Sequence, residues 1–66
     1  MIHLPQFQHT ALREYSGIIR KELLKRNLRK QLPEPVIVTG QELGFSNDEI
    51  NEIIEDCYSD LTRIYN

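Results

Sequence analysis

The side chains able to make or break bonds are few in this chain and widely spaced. His3, His9 and Cys57 are its whole complement of imidazole and thiol groups. A zinc site needs several such ligands at short, fixed intervals, so these three define no metal centre, and no cofactor is implied. Cys57 falls among apolar residues at helical spacing, where a thiol behaves as a small hydrophobe. To act as a nucleophile it would need exposure and a neighbouring base, and neither is in view. Glu49, Glu52, Asp56 and Asp60 recur at intervals of three and four, which lines them along one flank of a helix. Acid–base catalysis requires a concave, partly dry pocket that perturbs one carboxyl group. An exposed helix flank supplies none, so these acids are expected to be solvated, to pair with cations, or to face a basic partner. Gly17, Gly40 and Gly44 form no glycine-rich phosphate loop. No catalytic residue emerges, and the expectation is a protein that is not an enzyme.

The densest charge lies in Arg20-Lys21-Glu22-Leu23-Leu24-Lys25-Arg26-Asn27-Leu28-Arg29-Lys30, with six cations in eleven residues. Arg20, Lys21, Lys25, Arg26, Arg29 and Lys30 could neutralise phosphates of a nucleic acid. They could equally form the solvated side of a helix, or complement an acidic helix, with cations near a helix end favoured by its dipole. The net charge is only −2, which gives no global attraction to polyanions. Its distribution is uneven, because seven of the eight basic residues precede Leu32 and nine of the ten acidic residues lie at or after Glu22.

The elements that position these groups follow from the apolar pattern. Ile50, Ile53, Ile54, Cys57, Tyr58, Leu61, Ile64 and Tyr65 recur at spacings of three and four. At ~100° per residue they fall within an arc of roughly 140°. Ser46-Asn47-Asp48-Glu49 opens this helix as a capping box, and its early acids suit the positive end of the dipole. The spacing predicts a helix over residues 47–64. A basic helix is predicted over residues 10–31, with Thr10 as N-cap and Leu12, Tyr15, Ile19 and Leu23 on one line. Leu24, Leu28 and Leu32 form a second line displaced by ~140°. Pro33 and Pro35 are expected to stop the helix.

Residues 1–9 read as an extended amino-terminal segment and residues 32–46 as a linker. Within the linker the β-branched run Val36-Ile37-Val38 predicts a short extended stretch, pairing with Met1-Ile2-His3-Leu4 or with a second copy. Thr39-Gly40-Gln41-Glu42 repeats the capping-box spacing, so Gln41 to Leu43 is expected to make one helical turn ended by Gly44. In outline, Val38 to Ile50 resembles a helix-turn-helix, with a short helix, a glycine turn and a Ser-capped second helix. The would-be recognition helix carries Asp48, Glu49, Glu52, Glu55 and Asp56, which would meet phosphates of the same sign, so it is rejected as a groove reader.

A chain of 66 residues makes a single domain that buries only about 60% of the surface of its unfolded form. One cysteine excludes an internal disulfide, so association is the remaining aid to stability. No apolar run approaches the ~18 residues of a membrane span. No signal or lipidation motif is read, which makes a cytoplasmic home the default expectation. The fold class expected is all-α or nearly so, a helical hairpin of two long helices joined by a Pro-rich extended segment and a short helical turn. Its carboxy-terminal helix would pack antiparallel on the first half of the basic one. That arrangement leaves Leu24, Leu28, Leu32 and Val36, Ile37, Val38 uncovered, with Tyr58 and Tyr65 as anchors at the edge of the arc. A contiguous apolar surface of this kind marks an interface. The function expected is a protein–protein interaction module that forms a homodimer or binds another protein. A small dimeric nucleic-acid-binding regulator is the alternative.

Overall fold

The computed structural model describes residues 5–65, with side chains described for residues 10–64. Among the described residues the chain forms three helices, α1 (Pro5–Lys25), α2 (Glu34–Glu42) and α3 (Asn47–Tyr65), and no strand. The all-α expectation holds, but the two-helix hairpin is replaced by a three-helix arrangement. α3 begins as its sequence dictates. Ser46 N–H donates to Glu49 Oε1 at 2.8 Å, and Glu49 N–H donates to Ser46 Oγ at 3.2 Å, so each residue satisfies an amide the helix start would leave orphaned.

The first helix differs at both ends from its predicted span of residues 10–31. It is already formed at Pro5, so Thr10 lies within it rather than at its cap; Met1 to Leu4 lie outside the described residues. At the other end it stops at Lys25, well short of the prolines. Asn27 and Leu28 adopt positive φ angles of 57° and 63°. Leu28 N–H reaches back to Leu23 C=O at 2.6 Å, and Asn27 N–H to Leu24 C=O at 3.3 Å. This is a Schellman ending with Asn27 at the left-handed position, a place filled by Gly or, less often, Asn. The apolar residue that follows packs back on the helix end, and Leu28 does so against the core. Leu24, Leu28 and Leu32 therefore belong to no common helical line.

The extended stretch expected at Val36 to Val38 is helical instead, lying in the first half of α2. Pro33 is the N-cap residue with ψ 154°, Glu34 is the acid of the first turn and Pro35 follows it. Proline costs nothing there, because its missing N–H would have had no helical partner, and its fixed φ suits the helix. The weaker helix propensity of Val and Ile amounts to tenths of a kcal/mol per residue. Partial burial of Val36 and Ile37 against the core offsets that, since full burial of such a side chain contributes about 1.5–3 kcal/mol. Thr39 caps nothing and donates its hydroxyl to Pro35 C=O at 2.8 Å. α2 ends in a second Schellman motif. Gly44 stands at φ 100°, and Phe45 N–H donates to Gly40 C=O at 3.1 Å.

Two short connections reverse the chain twice, so α1 and α3 run in the same direction, not antiparallel. Leu12 and Ile53 line one groove, Cys57 Sγ donates to Ser16 C=O at 3.7 Å, and Arg20 pairs with Asp60 at 3.1 Å. Positions on the two helices rise together along these contacts. The core is Tyr15, Ile19 and Leu23 of α1 with Ile50, Ile53, Ile54, Cys57 and Leu61 of α3. Two expected members are left outside it, Leu12 at 41% and Ile64 at 69% exposure. α2 closes the third side through Tyr15, whose hydroxyl donates to Val36 C=O at 2.9 Å and whose ring stacks on Phe45 at 5.6 Å. Gly40 backs onto that ring, and a Cβ there would stand 2.5 Å from Tyr15 Cζ.

Candidate interaction surfaces

The six cations of the basic run do not form one uniform patch. Arg20 is held by Asp60, which also accepts from Arg63 at 2.6 Å. Lys30, in the α1–α2 connection, reaches Glu55 of α3 at 3.0 Å while lying 4.7 Å from the centre of the Tyr58 ring. Arg26 approaches Glu22 at 3.6 Å one turn earlier. Lys21, Lys25 and Arg29 are exposed and make no ion pair among the described residues. Arg13, which sequence reasoning left out of the basic set, is exposed and in the same condition. Opposite charges on the two ends of the chain thus join α3 to α1 and to the loop after it. Exposed pairs of this kind are each worth about 0–1 kcal/mol.

The apolar residues expected at an interface are also divided. Leu28, Leu32, Val36, Ile37 and Tyr58 are half-buried and pack against the protein's own core. Leu24, at 45% exposure, and Val38 remain on the surface, and the Tyr65 side chain lies outside the described residues. The broken helix is the reason, since the left-handed turn at Asn27 and Leu28 carries the chain back over the core that the second line was expected to leave bare.

A different apolar surface takes its place. Where the first half of α1 meets the α2–α3 turn there is an open groove of about 490 Å³, lined by Ala11, Leu12, Leu43, Phe45 and Ile53 with Glu49 and Glu52 on its rim. Leu12 and Leu43 are exposed and Phe45 is half-buried. α2 and its Schellman turn build the site. Gly44 lets the chain reverse, Phe45 is turned onto Tyr15, and Leu43 is left at the mouth. Sequence reasoning missed it because three of its walls come from separate elements. The available signal was the pair of apolar residues flanking Gly44.

No family model, curated protein or solved structure matches this chain. Its surfaces must be read by their chemistry. Among the described residues no cluster of three or more His, Cys, Asp or Glu side chains could hold a metal ion, and no helix is long and apolar enough to cross a membrane. Burial pushes the Cys57 thiol up from its ordinary range, opposed in part by the Arg20 guanidinium and the Ser16 contact. A buried thiol held protonated is a poor nucleophile, so its place is in the packing between α1 and α3. Burial likewise raises the Tyr15 phenol, which serves as a hydrogen-bond donor to α2. The α2–α3 connection keeps the helix, glycine turn, capped helix outline, and α3 turns Asp48, Glu49, Glu52, Glu55 and Asp56 to solvent, an arrangement repelled by phosphates.

Proposed function

We propose that this chain is a non-enzymatic protein–protein interaction module that receives an apolar side chain of its partner in the groove between α1 and the α2–α3 turn. The observation that carries the reading is the groove itself, whose Leu12 and Leu43 walls are exposed and Phe45 half-buried over a floor at the buried Ile53, on a protein of 66 residues. Apolar clefts with a few polar groups at the rim are the usual form of a binding site. Glu49 and Glu52 at the rim favour a partner segment with Lys or Arg beside its apolar anchor. Self-association, expected from a continuous leucine line, passes to this groove, with a second copy as one candidate occupant.

The test compares wild type with Leu12→Asp/Leu43→Asp. Both positions are exposed, so the double variant should keep its helix content by circular dichroism. Analytical ultracentrifugation across concentration reads self-association. Affinity capture from nuclease-treated native lysate reads other protein partners. Association or capture that vanishes in the double variant and persists in Lys21→Glu/Lys25→Glu supports the groove. A protein that stays single-copy and captures the same partners with and without the two leucines would remove this reading.

One observation favours a second reading, a nucleic-acid-binding regulator acting through α1 and the connection that follows it. Arg13, Lys21, Lys25 and Arg29 are exposed and uncommitted among the described residues, and cations not already spent on carboxylates are the ones able to displace counterions from phosphates. Arg20, Arg26 and Lys30 contribute less, being held by Asp60, Glu22 and Glu55.

A further inference from the structure

We infer that Arg13, Gly17, Lys21 and Lys25 form a single docking ridge for the sugar-phosphate backbone of a nucleic acid, with Gly17 as its point of closest approach; this rests on the second reading above. The four residues follow one another at intervals of four on α1, which places them in one row on the helix surface with neighbours about 6 Å apart. All four are exposed, and the three cations make no ion pair among the described residues. The ridge is a line of positive charge with one gap. Arg13 and Lys21 stand about 12 Å apart along the axis, a span over which a nucleic-acid strand carries several phosphates, at one per ~3.4 Å.

The gap is the unexplained part of the fold. Gly17 is in the middle of α1 and has no positive φ to require a glycine. A Cβ placed on it would meet nothing within 4 Å. Glycine in a helix interior costs about 1 kcal/mol relative to alanine, and no close contact among the described residues calls for it. Gly40 is the contrast, for there a side chain would strike Tyr15. The gap at Gly17 does its work outside, by letting an external chain lie against the helix backbone between two cations. A protein partner fits the ridge less well, because interface energy concentrates in buried aromatic and apolar anchors. The ridge has none, only the exposed Ile18 and Leu24 beside it. Glu14 is the one acid of α1's exposed side chains in residues 10–25, and its removal should strengthen binding.

The experiment is fluorescence anisotropy of the full chain with labelled ~20-mer duplex and single-stranded probes, titrated from about 50 to 200 mM salt. Three or four phosphate contacts predict an affinity loss of about a hundredfold over that range. Lys21→Glu/Lys25→Glu should weaken binding at least tenfold at about 50 mM salt, by loss and reversal of two phosphate contacts. Gly17→Ala should raise the melting temperature, and Gly17→Leu should weaken binding severalfold while circular dichroism shows an intact helix. No binding of wild type to either probe at about 50 mM salt would overturn both the nucleic-acid reading and the ridge. Binding that falls in the Lys21→Glu/Lys25→Glu protein but is indifferent to Gly17→Leu would overturn the role of Gly17 alone. Equal affinity for poly-glutamate of matched charge would overturn the nucleic-acid assignment in favour of an acidic polypeptide.

Discussion

Two residues, Tyr15 and Gly40, decide how α2 closes on the other helices. Tyr15 is fully buried, yet its hydroxyl is satisfied by Val36 C=O, and its ring occupies the space a Cβ on residue 40 would need. Gly40→Ala is therefore expected to destabilise by about 1–3 kcal/mol through overpacking, read as a lower urea midpoint. The same substitution should cost much less in a Tyr15→Leu background, since residues in contact are not additive. Cost unchanged in that background would show that the ring is not the obstacle. Titration gives a second residue-scale prediction. The Tyr15 phenol and Cys57 thiol are both raised above their ordinary values of 10.0 and 9.0 by burial, so the folded state holds these protons more tightly than the unfolded one. Their stabilising effect is complete below the unfolded values and is lost as pH rises through the folded ones. Urea midpoints should thus be flat with respect to these two groups near neutrality and fall on the alkaline side, beginning about pH 9. In Cys57→Ala the onset should move to higher pH, towards the range of the remaining phenol.

The helix ends are as informative as the helices. α1 is ended by backbone geometry at Asn27 and Leu28, not by the prolines beyond it. A left-handed conformation costs an ordinary residue about 1–2 kcal/mol and an asparagine less. Asn27→Ala should accordingly destabilise by about 1 kcal/mol, while Asn27→Gly should be neutral or stabilising by a few tenths of a kcal/mol, both measured by denaturant midpoint. A neutral Asn27→Ala would mean that the turn is not built this way. The capping box of α3 makes a parallel case. Ser46→Ala removes the acceptor of Glu49 N–H and is expected to cost about 1 kcal/mol, with Ser46→Asp preserving most of the stability. Of these ends, the capping box was legible in residues 46–49 and the Gly44 stop was legible as well. The Asn27 ending was hidden because Leu24, Leu28 and Leu32 imitate a continuing helical line.

At the scale of the whole molecule, direction is the consequential feature. Two reversals bring α1 and α3 parallel, so residues 12 to 20 of α1 lie beside residues 53 to 60 of α3, and the groove opens where the α2–α3 turn meets them. A nitroxide on an Arg13→Cys chain in a Cys57→Ala background should therefore broaden the amide resonances of residues 49–56 more than those of residues 60–64. The opposite gradient would restore the antiparallel hairpin. Charge follows the same layout. The acidic helix does meet the basic half, through Arg20 with Asp60 and Lys30 with Glu55. What remains unpaired on α1 among the described residues is a narrower set of cations than the sequence run suggested.

From its residue order alone this chain determined that it is helical, which face of α3 is buried, where α3 starts, and that Tyr15, Ile19 and Leu23 meet it. Those are local matters, settled by a repeat of three and four residues and by a cap whose partners lie three positions apart. Tertiary structure alone decided that Val36 to Val38 are helical, that α1 stops at Lys25, and that Leu28 and Leu32 turn inward while Leu12 and Leu43 stay out. The physical reason is one of magnitudes. Intrinsic preferences there differ by tenths of a kcal/mol per residue, and burying a single side chain against a core built by distant residues is worth several times as much.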